Sequence, residues 1–247
     1  MIRLEEAGVN RSGKMTYHGY LSHLRVEGVD FSGQTFNNFG LTDVVLTNCD
    51  FSRVKADFFI PGSGPFPCEF IDCSFDRVNF RQVLSLSNRF VGCSFKGARL
   101  SRWKLEETDL VDCDFDGATL RDVMLWGSMD DPGTPSYPAR SWVNEIRGND
   151  FSGAKLIDVD FRTGVDLTLQ KLPVGPDYIY AEDVPAALTR GEEVLDSLSP
   201  EDKKRAAILL EILRNEYERG QKQLFLVRFK SHSDSMWFPM REAMNEA

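Results

Sequence analysis

Six carboxylates crowd into eleven residues: Glu106, Glu107, Asp109, Asp112, Asp114 and Asp116. A general acid and base would need two of them in a cleft that excludes water. A metal would need them to converge with imidazole or thiolate. An anionic face for a basic partner needs only that they stay exposed and uncompensated. The rest of the chain supplies little for the first two uses. Cys49, Cys68, Cys73, Cys93 and Cys113 include no CxxC pair, and His18, His23 and His232 lie far from them in sequence. No GxSxG, HExxH, Walker or GxGxxG motif occurs, and Gly62-Ser63-Gly64 is a lone flexible loop tip. The expectation is a chain that is not an enzyme, with no catalytic residues, no metal and no cofactor.

A period of five positions these groups. From Phe70 to Leu125 every fifth residue is Phe, Leu or, at Ser85 alone, Ser, and two residues before each centre stands a mostly small or compact side chain. All five cysteines occupy that second place, each two before a Phe. There a thiol behaves as a small buried hydrophobe, so free, reduced cysteines are expected. Five fits neither the 3.6 of a helix nor the 2 of a strand, so one large and one small residue per quintet must face inward from a coil that keeps turning corners. Four quintets close a square, which stacks Cys73, Cys93 and Cys113 in one file and Phe75, Phe95 and Phe115 in another. At about 4.8 Å per turn the coil is expected to make roughly six turns, a rod of order 28 Å long. The six carboxylates then fall mostly at outward places, either as the solvated skin of an apolar tube or as a patch for a basic partner.

The period first appears at Phe31 and runs to Phe161, with two breaks. Residues 57–67 and 126–145 are rich in Gly and Pro and read as loops leaving the wall. The first carries Phe58, Phe59 and Phe66, the second Trp126, Tyr137 and Trp142, and these aromatics serve either as anchors for a partner or as packing for the loops themselves. The division expected is a lead-in over 1–26, a repeat coil over 27–168 and a helical region over 169–247. In the last region Ser199-Pro200-Glu201-Asp202 reads as a helix start, with Ala206, Leu209, Leu210, Leu213 and Tyr217 on one face and Gly220 as the stop. The apolar runs at 224–229 and 236–240 must be buried, as a plug for the last coil or as a dimer seam. The plug is favoured because an open coil end needs apolar cover. The chain is thus expected to be a monomer or a homodimer joined through its C-terminal region.

The formal charge of the chain is −9, and residues 27–168 hold 22 Asp and Glu against 14 Lys and Arg, a net of −8. An acidic rod repels nucleic acid and favours basic partners. The N-terminus has no apolar signal core and no stretch approaches 18 apolar residues, so a soluble, cytoplasmic protein with no membrane contact is expected.

The quintets DFSGQ at 30–34, DFDGATL at 114–120 and DFSGAKL at 150–156 resemble the A(D/N)LXX pattern of the pentapeptide-repeat proteins. That resemblance implies an all-β solenoid, a right-handed quadrilateral β-helix, here with an α-helical C-terminal cap, acting through its surface without chemistry. With two loops interrupting its coils the chain is also similar to the quinolone-resistance members, which are taken to resemble DNA in shape and charge and to engage DNA gyrase or topoisomerase IV. Its C-terminal region is longer than their short dimerising helix. The function expected is docking of a protein partner, with Glu106, Glu107, Asp109, Asp112, Asp114, Asp116, Phe58, Phe59, Trp126, Tyr137 and Trp142 as contacts. An immunity factor against a toxin, or a scaffold whose helical tail is the active part, are the alternatives.

Overall fold

Two residues after most inward centres the backbone turns a corner through a left-handed residue. Asp43, Asn48, Arg53, Asp72, Arg77, Arg102, Asp112 and Asp122 have φ between 49° and 61°, and Gly33, Gly92, Gly97 and Gly117 hold the equivalent corners. Single left-handed residues are least costly for Gly, Asn and Asp, which is why those types recur at this place. The computed structural model describes residues 3–9, 15–62, 66–85, 87–128 and 143–246, without the side chains of 3–9 and 15–17.

The strands between corners are β1 (Arg3–Val9), β2 (Met15–Glu27), β3 (Thr35–Thr47), β4 (Lys55–Pro61), β5 (Cys68–Ile71) and β6 (Asn79–Val83). They continue as β7 (Asn88–Val91), β8 (Arg99–Leu105), β9 (Thr108–Val111), β10 (Thr119–Trp126), β11 (Ile146–Arg147) and β12 (Lys155–Arg162). β1 and β2 form an antiparallel hairpin, and from β2 onward every pairing in the coil is parallel. β3 bends round a corner, so its first half starts the ladder β4-β6-β8-β10-β12 and its second half the ladder β5-β7-β9-β11. A third face is marked by bridges from Asp30 through Asp50, Ser74, Ser94, Asp114 and Asp150 to Lys171.

Inside, Phe31, Phe51, Phe75, Phe95, Phe115 and Phe151 stack with ring centroids 4.6–5.0 Å apart. Five turns separate the first ring from the last. The bridge file from Asp30 to Lys171 takes one step more, and the insertions consume residues without adding rungs. Leu46 pairs with Phe70, 24 residues on, and Leu110 with Ile146, 36 on, whereas uninterrupted rungs such as Phe70 and Phe90 differ by twenty. The five cysteines are free and buried.

Both ends differ from the simplest reading. β2 pairs with β3 from Tyr17 to Glu27, so parallel strands already run through the stretch read as a lead-in. At the other end the coil continues past Phe161, through a short 3-10 turn at Leu167–Leu169, to Lys171. A cap follows: β13 (Tyr178–Ala181), α1 (Val184–Val194), α2 (Pro200–Glu218), β14 (Leu224–Val227) and α3 (Asp234–Met244). Ser199 accepts from Asp202 N at the start of α2, as the Ser-Pro-Glu-Asp signal predicts. Ala206, Leu210 and Leu213 are buried, while Leu209 is half-buried and Tyr217 exposed.

The antiparallel pair β13-β14 supplies the plug. Phe225 meets Phe161 edge-on at 5.8 Å and stacks on Tyr178 at 5.5 Å, and Phe225 and Val227 complete the coil's own core. Met236, Trp237 and Met240 do not enter the coil. They form a separate core with Ala187, Leu188, Ala206 and Leu210 of α1 and α2. One apolar run therefore closes the tube and the other holds the cap together.

Candidate interaction surface

The six carboxylates are spread over more than one face of the coil, and most are already engaged. Glu107 accepts from Ser87 Oγ at 2.6 Å, and Asp109 accepts from Glu145 N at 2.8 Å. Burial pushes the Asp109 carboxyl above its ordinary range. Asp112 pairs with Arg147 at 3.5 Å. Asp114 accepts from Asp116 N at 2.9 Å and pairs with Lys96 at 3.0 Å. That Asp114 contact is a repeated corner device, since Asp30, Asp50 and Asp150 accept in the same way from Ser32, Ser52 and Ser152. Several predicted contact residues therefore hold the turn or a neighbouring rung. Among the described residues the side chains of Glu106 and Asp116 have no ion pair.

The aromatics divide as well. Phe59 is 2% exposed and stacks on Phe80 at 4.4 Å, so it belongs to the core and is unavailable to a partner. The loop expected at 57–67 begins only after Pro61, because β4 carries the wall through Phe58 and Phe59. Phe58 does face outward, 38% exposed, paired in register with Gln82. Trp126 is the last residue of β10, half-buried, and its carbonyl accepts from Asn144 Nδ2 at 2.6 Å, so it too is wall and not loop. Tyr137 and Trp142 lie outside the described residues.

Sequence reasoning missed the surface on which unpaired charge and exposed apolar groups coincide. On the face built by β4, β6, β8, β10 and β12, two outward files run along the rod. One passes through Phe58, Gln82, Arg102, Asp122 and Asp158, the other through Ile60, Leu84, Lys104, Met124 and Asp160. The face grades from apolar through basic to acidic toward the cap. A groove of about 710 Å³ follows it, lined by Leu84, Met124 and Glu106 of the coil and by Phe229 of the cap. Leu84 is 42% exposed. Asp160 pairs with Arg162 at 3.0 Å, whereas Glu106, Asp122, Asp158 and Lys104 have no ion pair among the described residues. The twenty-residue spacing of Leu84, Lys104 and Met124 was a usable signal in the sequence, but Phe229 was not, since it arrives from the cap.

Among the described residues no group of three or more His, Cys, Asp or Glu is placed to hold a metal ion, and no helix is long and apolar enough to cross a membrane.

Residues 89–122 match the family described as pentapeptide repeats, in eight copies. Among solved structures the chain is similar to a trypsin-treated variant of QnrB1, a plasmid-mediated fluoroquinolone resistance protein, at 17% identity over 58% of this chain and 91% of that one, with a TM-score of 0.30. It is similar to full-length QnrB1 at 18% identity over 62% and 82%, with a TM-score of 0.21. HetL, a pentapeptide repeat protein involved in heterocyst differentiation regulation from the cyanobacterium Nostoc, is similar at 13% identity over 63% and 90%, also with a TM-score of 0.21. No curated protein matches the chain. The matched repeats sit in the middle of the Phe and Cys files, so residues 89–122 carry the pentapeptide repeat within a coil whose parallel strands extend on either side of them.

Proposed function

We propose that this chain is a non-enzymatic interaction protein that docks a protein partner on the outer wall of its coil. The groove carries the reading. Leu84, Met124 and Phe229 present apolar surface beside the carboxylates of Glu106, Asp122 and Asp158, which form no ion pair among the described residues, with Arg102 and Lys104 lining the same groove. Apolar surface ringed by charges left out of ion pairs is the composition of a docking site more than of a solvated wall. Phe58 extends that surface away from the cap. A bait of the full chain, compared with Leu84→Glu at low and high salt, tests it. A protein retained by the first, lost by the second and released as ionic strength rises supports wall docking. Retention indifferent to both sinks it.

The repeat resemblance suggests a partner class, a type II topoisomerase such as DNA gyrase or topoisomerase IV, engaged in place of DNA. Since four of the six central carboxylates are engaged within the chain, such mimicry would rest on the few left free. Supercoiling by purified gyrase, with the chain in micromolar excess, is expected to change. An unchanged rate would remove the topoisomerase version and leave wall docking standing.

A further inference from the structure

At the cap the groove borders a second cavity. Phe229 and Asp160 line the groove and also line this smaller cavity of about 170 Å³ at the junction of the last rung and α2. Phe161, Leu209, Leu213 and Phe225 make that cavity apolar, and Glu216 also lines it. Glu216 Oε2 is buried and has no hydrogen-bond partner. A carboxylate oxygen removed from water without a donor is costly, and the cost is relieved when a donor reaches it. The cavity is smaller than the ~300 Å³ at which drug-sized ligands begin to be held. It is suited to a single side chain with an apolar stem and a donor at its tip.

Charge outside points to the same chemistry. Toward the cap the groove ends in Asp122, Asp158 and Asp160, and its own cations, Arg102 and Lys104, lie on the rung farther from the cap. We propose that groove and cavity form one site for a basic polypeptide segment. A lysine or arginine of that segment passes Phe229, lays its methylenes on the apolar walls and donates to Glu216 Oε2. Its apolar neighbours lie along Leu84 and Met124, and a second cation meets Asp122 and Asp158. Long basic side chains bury their stems in this way while keeping the head paired. The inference rests on wall docking and adds the identity of what docks.

Panning a random twelve-residue peptide library on the full chain tests it, followed by anisotropy with the fluorescein-labelled winners. Sequences pairing Lys or Arg with Leu, Ile or Met are expected. Their affinity should fall at least about tenfold on Glu216→Gln, and again when norleucine replaces the basic residue, the loss of one charge-assisted hydrogen bond. An unchanged or higher melting temperature for Glu216→Gln shows that the variant folds. Winners lacking a basic residue, or an empty selection, would overturn the proposal. Winners lost on Leu84→Glu but unaffected by Glu216→Gln would overturn the cavity while wall docking survived. A dimer in sedimentation that Leu84→Glu dissolves would place a second copy in the groove and overturn it too.

Discussion

Asn149 Oδ1 accepts the backbone N–H of Cys113 at 3.0 Å, while its amide nitrogen donates to Leu110 O at 2.8 Å and to Gln170 Oε1 at 3.0 Å. The inward file of small residues that runs Cys49, Cys73, Cys93 and Cys113 thus ends in a carboxamide. Asn149 is fully buried, so its replacement leaves a buried N–H and a buried C=O unmatched. Asn149→Ala should cost about 2–6 kcal/mol in urea unfolding, from roughly 1–3 kcal/mol per orphaned group. A loss below ~0.5 kcal/mol would show that water or a shifted backbone satisfies them.

The phenyl file gives a second prediction. Phe95 stacks 5.0 Å from Phe75 and 4.8 Å from Phe115, with almost no exposure. Phe95→Ala should destabilise by ~3–5 kcal/mol and Phe95→Leu by much less, because a tube closed by parallel ladders can collapse little around a void. Equal losses for the two would mean that ring stacking, and not filled volume, holds this rung.

Thiol chemistry supplies a third. Burial pushes the Cys68 and Cys93 thiols up, and the neighbouring Cys93 thiol, then burial, pushes up that of Cys73. The thiolate is the reactive form. A chromogenic disulfide reagent should therefore find no reactive thiol in the native chain at pH 8 and five after denaturation. A fast native fraction would reveal that a rung opens.

Acid stability supplies the fourth. Asp150 is held down to about 2 by a hydrogen bond from Lys171 at 2.9 Å and by Ser152, against an ordinary value of 3.8. Its folded value lies below its unfolded one, so its contribution is complete above about pH 4 and is lost as pH falls toward 2. Lys171→Met should raise the acid midpoint followed by circular dichroism, yet cost under ~1 kcal/mol at pH 7, where the exposed pair is screened. A midpoint that does not move would assign the low value to Ser152.

The coil was legible because its rule is local. Phe75, Phe95 and Phe115 announce their own stacking by spacing, and the cysteines mark the same corner. Phe59 was misplaced because Pro61 stands where Phe or Leu is expected, although counting five from Ala56 puts Pro61 at an inward centre and Phe59 in the small-residue place. The carboxylates were misjudged for a related reason. Sequence shows that Asp114 points outward but not that it accepts from Asp116 N and pairs with Lys96. The cap hid its architecture because β13 pairs with β14 across more than forty intervening residues, a contact no short-range pattern announces.

Phe225 and Val227, seated against the last rung, make the tube blind at that end. Copies of the chain cannot join there into a filament, whatever the remaining end allows. Since each turn touches only the turns beside it, splicing a further twenty-residue coil ahead of Asp150 should give a taller molecule with the same lid, its height set by the position of the stopper and not by where the repeats happen to fade.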